Sequence, residues 1–463
     1  MSALSEFAER INTALNAFAW GKGMLVLLTG CGVWITLRTR FIQLRAFPAA
    51  LRLCRDALVS RRDDGKNLSS FQAFSTALAG SVGTGNIAGV TLALFTGGPG
   101  AVFWMWLSAF FGMATKYAEI ALSVKYRVRD GSGRYRGGAM YYIVGGLGGA
   151  WRWLAEAFAL FGGLACFGIG NIAQSCEIAA AAKELLGWRP ALTGAILAAL
   201  TALVILGGAR RVGRITARVV PFMGLLYLLT GLAVIALRAS LVPAAFAAIF
   251  RGAFSPTAAG GGIAGYGLRE AVRHGVSRGV FSNEAGLGSA PFAHGASAAA
   301  SPAKEGLWGI LEVFADTFVI CTVTALTVLL SGVLDLPSGL DAFPSPGAAA
   351  VASFDSILPG GAGGVILRVC LLFFAFSTIL SWSLYGEACW RFLLGESAFV
   401  KGLFRALFIA VCFLGAIGSG SFLWTLSDTL NGLMAIPNLV ALIPLSGEVA
   451  RLCPSPSPKK GTA

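Results

Sequence analysis

The chain has 463 residues, 56% of them apolar and only 13% charged, with a mean hydropathy of +0.74. A soluble domain carries roughly a quarter charged residues, so a soluble globular protein is excluded. The formal net charge of +14 arises from 36 Lys and Arg against 22 Asp and Glu, but these cations cluster between apolar runs, which points to membrane orientation and not to a nucleic-acid partner.

The apolar residues come in runs of about 20, the length that crosses a hydrocarbon core. The runs are continuous and do not alternate in polarity, so they read as helices and not as the strands of a barrel. Residues 1–16 are polar and amphipathic. The run Trp20–Leu37 follows, and with no basic n-region and no small-x-small cleavage site it reads as a first spanning helix, not a removed signal. In chain order the expected spans are 20–37, 70–96, 100–124, 152–186, 190–208, 215–238, 257–298, 305–331, 363–390, 402–419 and 420–447. The fold class is therefore an all-α polytopic membrane protein of about eleven transmembrane helices. Nine Cys lie scattered through apolar runs with no C-x-x-C pair, as small packing residues and not as disulfides or metal ligands.

Alternate connections carry the cations. The first holds Arg38, Arg40, Arg45, Arg52, Arg55, Arg61, Arg62 and Lys66, and the third holds Lys125, Arg127, Arg129, Arg134 and Arg136. Arg210, Arg211 and Arg214 fall in the fifth, Arg391 and Lys401 in the ninth, and Lys459 and Lys460 in the tail. The long connection 332–364 has Asp335, Asp341 and Asp355 but no Lys or Arg. The positive-inside rule then makes this a multi-pass protein of a cytoplasmic (inner) membrane, with the N-terminus outside and the C-terminus in the cytoplasm.

Two spans are interrupted. Span two has Gly80, Gly83, Gly85 and Gly89 interleaved with Ser81, Thr84 and Asn86, and span seven has Gly286, Gly288 and Pro291. Each Gly costs a helix interior about 1 kcal/mol relative to Ala, so both spans are expected to unwind. Unwound backbone at membrane depth persists only where it is buried or lines a cavity, where its carbonyls can bind a cation and its half-helix N-termini a carboxylate. Span seven is too long for one straight crossing and contains Arg269, Glu270, Arg273, His274 and Arg278, of which Glu270 can pair with His274 one turn on. The two interrupted spans open two groups of five helices, and because five is odd the second group enters inverted. Such paired breaks point to a transporter binding site. The expected organisation is 1–69 for the extra helix and its basic loop, 70–238 and 239–450 for the two repeats, and 451–463 for a short tail.

GGPGAVFWMWLSAFFG at Gly97–Gly112 resembles the signature of the alanine/glycine:cation symporter family, the sodium:alanine symporters. FSTALAGSVGTGNIAGV, KYRVRDGSGRYRGGAMYYI, RGVFSNEAGLGSAP and FSTILSWSLYGE resemble that family's motifs in its order, so that the likeness runs from Gly21 to Leu445. The resemblance implies the leucine-transporter fold, two inverted five-helix repeats preceded here by one extra helix. It also implies uptake of alanine or glycine coupled to Na⁺, less often to H⁺. The stretch from Ser81 to Asn86 is similar to the break of the neurotransmitter:sodium symporters. By that likeness the carbonyls of Ala79 and Val82 and the hydroxyls of Ser377 and Thr378 would hold Na⁺, and Asn86 would serve a second sodium. Amides at Thr84 and Gly85 would hold the substrate carboxylate, Gln174 and Asn283 (or the carbonyls around it) the ammonium, and Trp382 would close over the methyl group.

Trp104 and Trp106 read as interface anchors. Glu119 reads either as an ion-paired helix terminus beside Lys116 or as a functional carboxylate, as do Glu177, Glu312 and Asp316 within their spans. A proton-coupled carrier would need a carboxylate at a break, where Glu284 is the candidate. With only His274 and His294 and no hydrolase or metal motif, the chain does not read as an enzyme. A channel would need a pore lined by rings of carbonyls or charges.

Overall fold

The computed structural model describes residues 3–59, 66–254, 267–418 and 421–454. Arg61, Arg62, Lys459, Lys460 and the start of the seventh expected span, 257–266, lie outside the described residues. Helices α1 (Ala3–Ala19), α2 (Lys22–Arg38) and α3 (Phe47–Val59) precede the first interrupted span. That span is α4 (Ser70–Ser81) and α5 (Ala88–Gly97), and α6 (Gly100–Tyr126), α7 (Ala139–Leu147), α8 (Arg152–Phe167) and α9 (Ala173–Leu186) follow. Next come α10 (Pro190–Ile205), α11 (Gly208–Leu237) and α12 (Val242–Phe254). The second interrupted span is α13 (Leu268–Asn283) with α14 (Ala290–Gly295). The rest are α15 (Pro302–Val313), α16 (Thr322–Ser331), α17 (Pro346–Asp355), α18 (Ala362–Leu394), α19 (Ala398–Ile417) and α20 (Ser421–Leu452).

Among the described residues seven helices are long and apolar enough to cross a membrane, or eight if α4 and α5 count as one bent span. The other three expected spans fall on α6, on α10 with 16 residues, and on the α13–α14 pair. The only strands named among the described residues form a hairpin after α6, Val128–Arg129 against Tyr135–Arg136. Asp130 closes its turn by accepting from the amides of Ser132 (2.9 Å) and Arg134 (3.0 Å). Partial burial opposes ionisation of Asp130, but hydrogen bonds from Ser132 and Arg136 outweigh it and hold the carboxyl well below the usual carboxylate range.

Both breaks follow from local chemistry. Ser69 and Gln72 form a capping box that starts α4. The helix ends at Ser81, Val82 turns extended, and the chain bends by 57° into the Thr84–Gly97 half. The Asn86 carboxamide accepts the Gly83 N–H at 2.9 Å and pins the unwound turn. In the second span α13 stops because Glu284 adopts a left-handed φ of 56°. Gly286 and Gly288 also lie at positive φ, and Pro291 starts α14 without needing an N–H partner.

The Gly-Gly-Pro-Gly turn leading into α6 has a packing role: the backbone of Gly100 lies so close to that of Gly252 that no side chain would fit between them. Trp104 and Trp106, expected as interface anchors, are half-buried, and their N–H groups find partners on neighbouring helices. Trp104 donates to the Ala253 carbonyl at 3.1 Å and Trp106 to the Thr322 hydroxyl at 2.8 Å. The amphipathic α1 packs along α20, where Asn16 donates to Asp428 (3.2 Å) and Thr429 (3.1 Å).

A binding cavity between the two broken helices

The unwound turn of the first span, the break of the second, a π-helical turn at Gly168–Ile172 and α18 converge on a cavity with about 300 Å³ of empty space. Gly83, Thr84, Gly85, Gln174, Thr378 and Trp382 line it, together with Ile169, Phe281, Glu284 and Asn431. The structure therefore brings Thr84, Gly85, Gln174 and Trp382 to one place across large sequence separations. Gly170 in the π-turn packs against Trp382 too closely for any side chain, which seats the indole in the cavity wall. Single π-turns inside α-helices are frequent at functional sites.

The lining of this cavity holds buried acceptors without a partner among the described residues and one buried donor likewise without a partner, the Trp382 Nε1–H. Gln174 donates its amide to the Ile169 carbonyl at 3.1 Å, which leaves its Oε1 buried with no partner among the described residues. The Oδ1 of Asn431 is buried and equally without a partner. The Glu284 carboxylate accepts from Ser289 at 2.5 Å. Buried acceptors left unmade are costly, so a bound molecule that brings a donor would gain at these two oxygens. Thr84 and Gly85, also in the lining, open the second half-helix, where N–H groups have no preceding turn to bond and favour an anion.

Asn283 is the substrate candidate that the structure does not bring to the cavity. Its Nδ2 donates to Thr317 (3.0 Å), its Oδ1 accepts the Ala285 amide (3.0 Å), and its carbonyl accepts the Lys116 ammonium at 2.7 Å. The next residue, Glu284, faces the cavity in its place, because the left-handed turn there reverses the direction of the chain. Asn431, on α20, carried no sequence signal: it is one of several polar residues in that helix, Asp428, Thr429 and Asn438 among them, and only packing brings it to the cavity.

Below the unwound turn the Thr378 hydroxyl lies 2.9 Å from the Ala79 carbonyl and also donates to Phe374 (3.0 Å). Val82 sits at the end of the same turn, and Ser377 bonds back to Phe374 at 2.9 Å. Asn86 donates at 2.6 Å to Asp316, whose other oxygen accepts from Ser282 and Thr317, each at 2.9 Å. This buried group ties both breaks to the π-helical stretch Phe314–Cys321.

The other carboxylates expected to stand out lie outside this cavity. Glu119 does not sit at an ion-paired terminus: it is fully buried, accepting from Asn438 (2.5 Å) and from the Gly288 amide (3.1 Å). Lys116 pairs with Glu312 at 3.2 Å, and Glu312 lies 2.6 Å from His294, whose other nitrogen is 2.8 Å from Glu305. All four are buried, and the chain they form binds α6, α14 and α15 into one block. Glu177 lines a wider vestibule with Arg278 and Asp428, which adjoins the small cavity along Thr84, Gly85, Ile169 and Phe281. His274 pairs with Glu270 at 3.3 Å, as its spacing predicts.

Comparison with known proteins gives one picture. The profile of the sodium:alanine symporter family matches residues 5–455. The chain is 46% identical over 448 residues to the sodium/alanine symporter AgcS of Methanococcus maripaludis, covering 96% of each. It is 35% identical to YrbD of Bacillus subtilis, a putative sodium/proton-dependent alanine carrier, covering 94% of this chain and 89% of that one. In three dimensions it matches MhsT, solved in complex with L-phenylalanine, with a TM-score of 0.58 at 13% identity, covering 84% of this chain and 98% of that one. That likeness establishes the leucine-transporter fold.

Proposed function

The chain belongs to the sodium:alanine symporter family, and from that premise we propose that it imports alanine, and glycine with it, together with Na⁺ by alternating access. The observation that carries this reading is the pair of orphan oxygens, Gln174 Oε1 and Asn431 Oδ1, beside Glu284 in a small cavity that Thr84 and Gly85 also line. A zwitterion matches both sets of groups: its ammonium supplies donors to the oxygens, and its carboxylate accepts from the half-helix N-terminus. Trp382, Phe281 and Ile169 supply the apolar wall against which a methyl group would rest.

Sodium is held by the Ala79 and Val82 carbonyls of the first break and the Ser377 and Thr378 hydroxyls of α18, where the Thr378 hydroxyl already lies 2.9 Å from the Ala79 carbonyl. Hard oxygen donors suit that ion. A second sodium takes the oxygens around Asn86, where Asp316 with the Ser282 and Thr317 hydroxyls supplies a charge of the right sign. The repeats 70–238 and 239–450 rock about this centre in a cytoplasmic membrane, with the basic connections inside and the N-terminus outside. Glu284 in the cavity wall favours one second reading, the same uptake driven by H⁺.

The deciding experiment is uptake of labelled alanine into proteoliposomes with Na⁺ and H⁺ gradients imposed separately. One charge crossing 100 mV supplies about 2.3 kcal/mol, and a tenfold sodium gradient about 1.4 kcal/mol. Together these support accumulation of roughly several hundredfold with one ion. The expected result is accumulation on an inward Na⁺ gradient at equal pH. Equal uptake with choline in place of sodium overturns the sodium reading, and accumulation on a pH gradient alone establishes the proton one.

In the same vesicles glycine and alanine are expected to compete for uptake, while leucine is not. Leucine that is itself transported shows that Trp382 does not bound the pocket.

A further inference from the structure

A second cavity, with about 670 Å³ of empty space, opens on the side of the molecule that carries the basic connections. Five cations line it: Arg134 and Arg136 from the hairpin, Arg391 from the end of α18, and Lys401 and Arg405 from α19. Three carboxylates pair with them. Asp130 lies 2.5 Å from Arg136 and 3.6 Å from Arg134. Glu387 lies 2.7 Å from Arg405 and 3.6 Å from Arg391, and Glu396 pairs with Arg391 and lies 3.4 Å from Arg136. The pairing leaves two positive charges in excess. Lys401 has neither an ion pair nor a side-chain hydrogen bond among the described residues.

A separate trough of about 660 Å³ starts at the same Lys401 and Arg405 and follows α19. Its remaining walls are apolar, among them Leu206, Ala406 and Ile409. The adjoining surface exposes Leu206 by 62% and Phe399 by 75%, as a face turned to hydrocarbon does. A cationic cavity and an apolar trough thus meet at two shared side chains.

We infer that this is a site for one anionic phospholipid, its phosphate held at Lys401 and Arg405 and an acyl chain lying along Leu206, Ala406 and Ile409. The excess charge alone would suit any phosphate-bearing anion. The trough decides between them, because a free phosphate has no use for apolar walls, whereas a lipid must place its chain within reach of its headgroup. Basic pockets between helices on the cytoplasmic side are a recognised form of such sites. The inference rests on the orientation proposed above, which puts the cavity at the inner leaflet.

The test is native mass spectrometry of the full chain in detergent, titrated separately with phosphatidylglycerol, phosphatidylcholine and inorganic phosphate. Lys401→Gln removes the unpaired cation. Gly402→Phe fills the trough, since nothing lies within 4 Å of a side chain built at Gly402. Phosphatidylglycerol is expected to bind at least about fivefold more tightly than phosphatidylcholine, and each variant to lose about fivefold of that preference. Thermal unfolding in the same detergent verifies that both variants are folded. Equal binding of the two lipids, or an unchanged preference in both folded variants, overturns the site. Inorganic phosphate that displaces the lipid, with Gly402→Phe without effect, shows a small-anion site and overturns the lipid assignment. Lipid binding is read without transport, and cysteine accessibility from the two sides of sealed vesicles reads the orientation, so failure here is distinct from failure of the symport reading.

Discussion

Gln174→Leu is expected to raise the alanine concentration for half-maximal uptake about 10- to 150-fold, the effect of losing one hydrogen bond to a charged group. Leucine fills nearly the same volume but has no acceptor for the substrate ammonium, and the buried Oε1 is the atom left without a partner when the cavity is empty. The same side chain also steadies the π-turn through its bond to the Ile169 carbonyl, so a loss of uptake could arise from a displaced turn. Gln174→Glu separates these causes. It retains acceptor oxygens but gives up the amide donor to Ile169. Recovery of most of the alanine affinity in Gln174→Glu assigns the effect to the ammonium. If Glu is as impaired as Leu, the residue acts by shaping the turn. Both are measured as labelled uptake at saturating sodium, with protein inserted in the membrane quantified.

Thr378→Ala is expected to raise the sodium concentration for half-maximal uptake about 5- to 150-fold, the range of typical coupling free energies. The Thr378 hydroxyl lies 2.9 Å from the Ala79 carbonyl, and this contact joins α18 to the first break. An ion between them would stabilise the arrangement that also seats the substrate, so ion and substrate share one coupling term. Apparent alanine affinity should therefore fall at low sodium and largely recover when sodium saturates. Thr378→Ser, which retains the oxygen, should titrate like the parent. A sodium titration unchanged in folded Thr378→Ala removes the cation from this position.

The parts of the site were legible to different degrees. The first break could be read from the chain because glycines, hydroxyls and an amide crowd into one apolar run, a composition that disfavours a straight helix, whereas the roles of Ala79, Thr84 and Gly85 within it came from likeness to a family. The second break was legible for the same reason, through Gly286, Gly288 and Pro291. Gln174, Ser377, Thr378 and Trp382 came from likeness to a family, since an isolated polar residue in a helix does not announce which neighbour it meets. Asn283 and Glu284 show the limit. They are adjacent, both polar and both at the break, and a left-handed φ at Glu284 turns that carboxylate into the cavity while the Asn283 amide bonds to Thr317 and Ala285.

By itself the sequence determined the membrane class, the order of the helices and the two places where they unwind, because these depend on hydropathy, helix propensity and backbone freedom, all local properties. Only the tertiary structure decided which polar groups are satisfied. Lys116 is matched by Glu312 from α15, Glu119 by Asn438 from α20, and Asp316 by Asn86 from the first break. Gln174 and Asn431 are left with free oxygens facing the same small space. Burial makes every such pairing a matter of ångströms between residues far apart in the chain, and a partner that distant leaves no trace in the spacing of the residues around it.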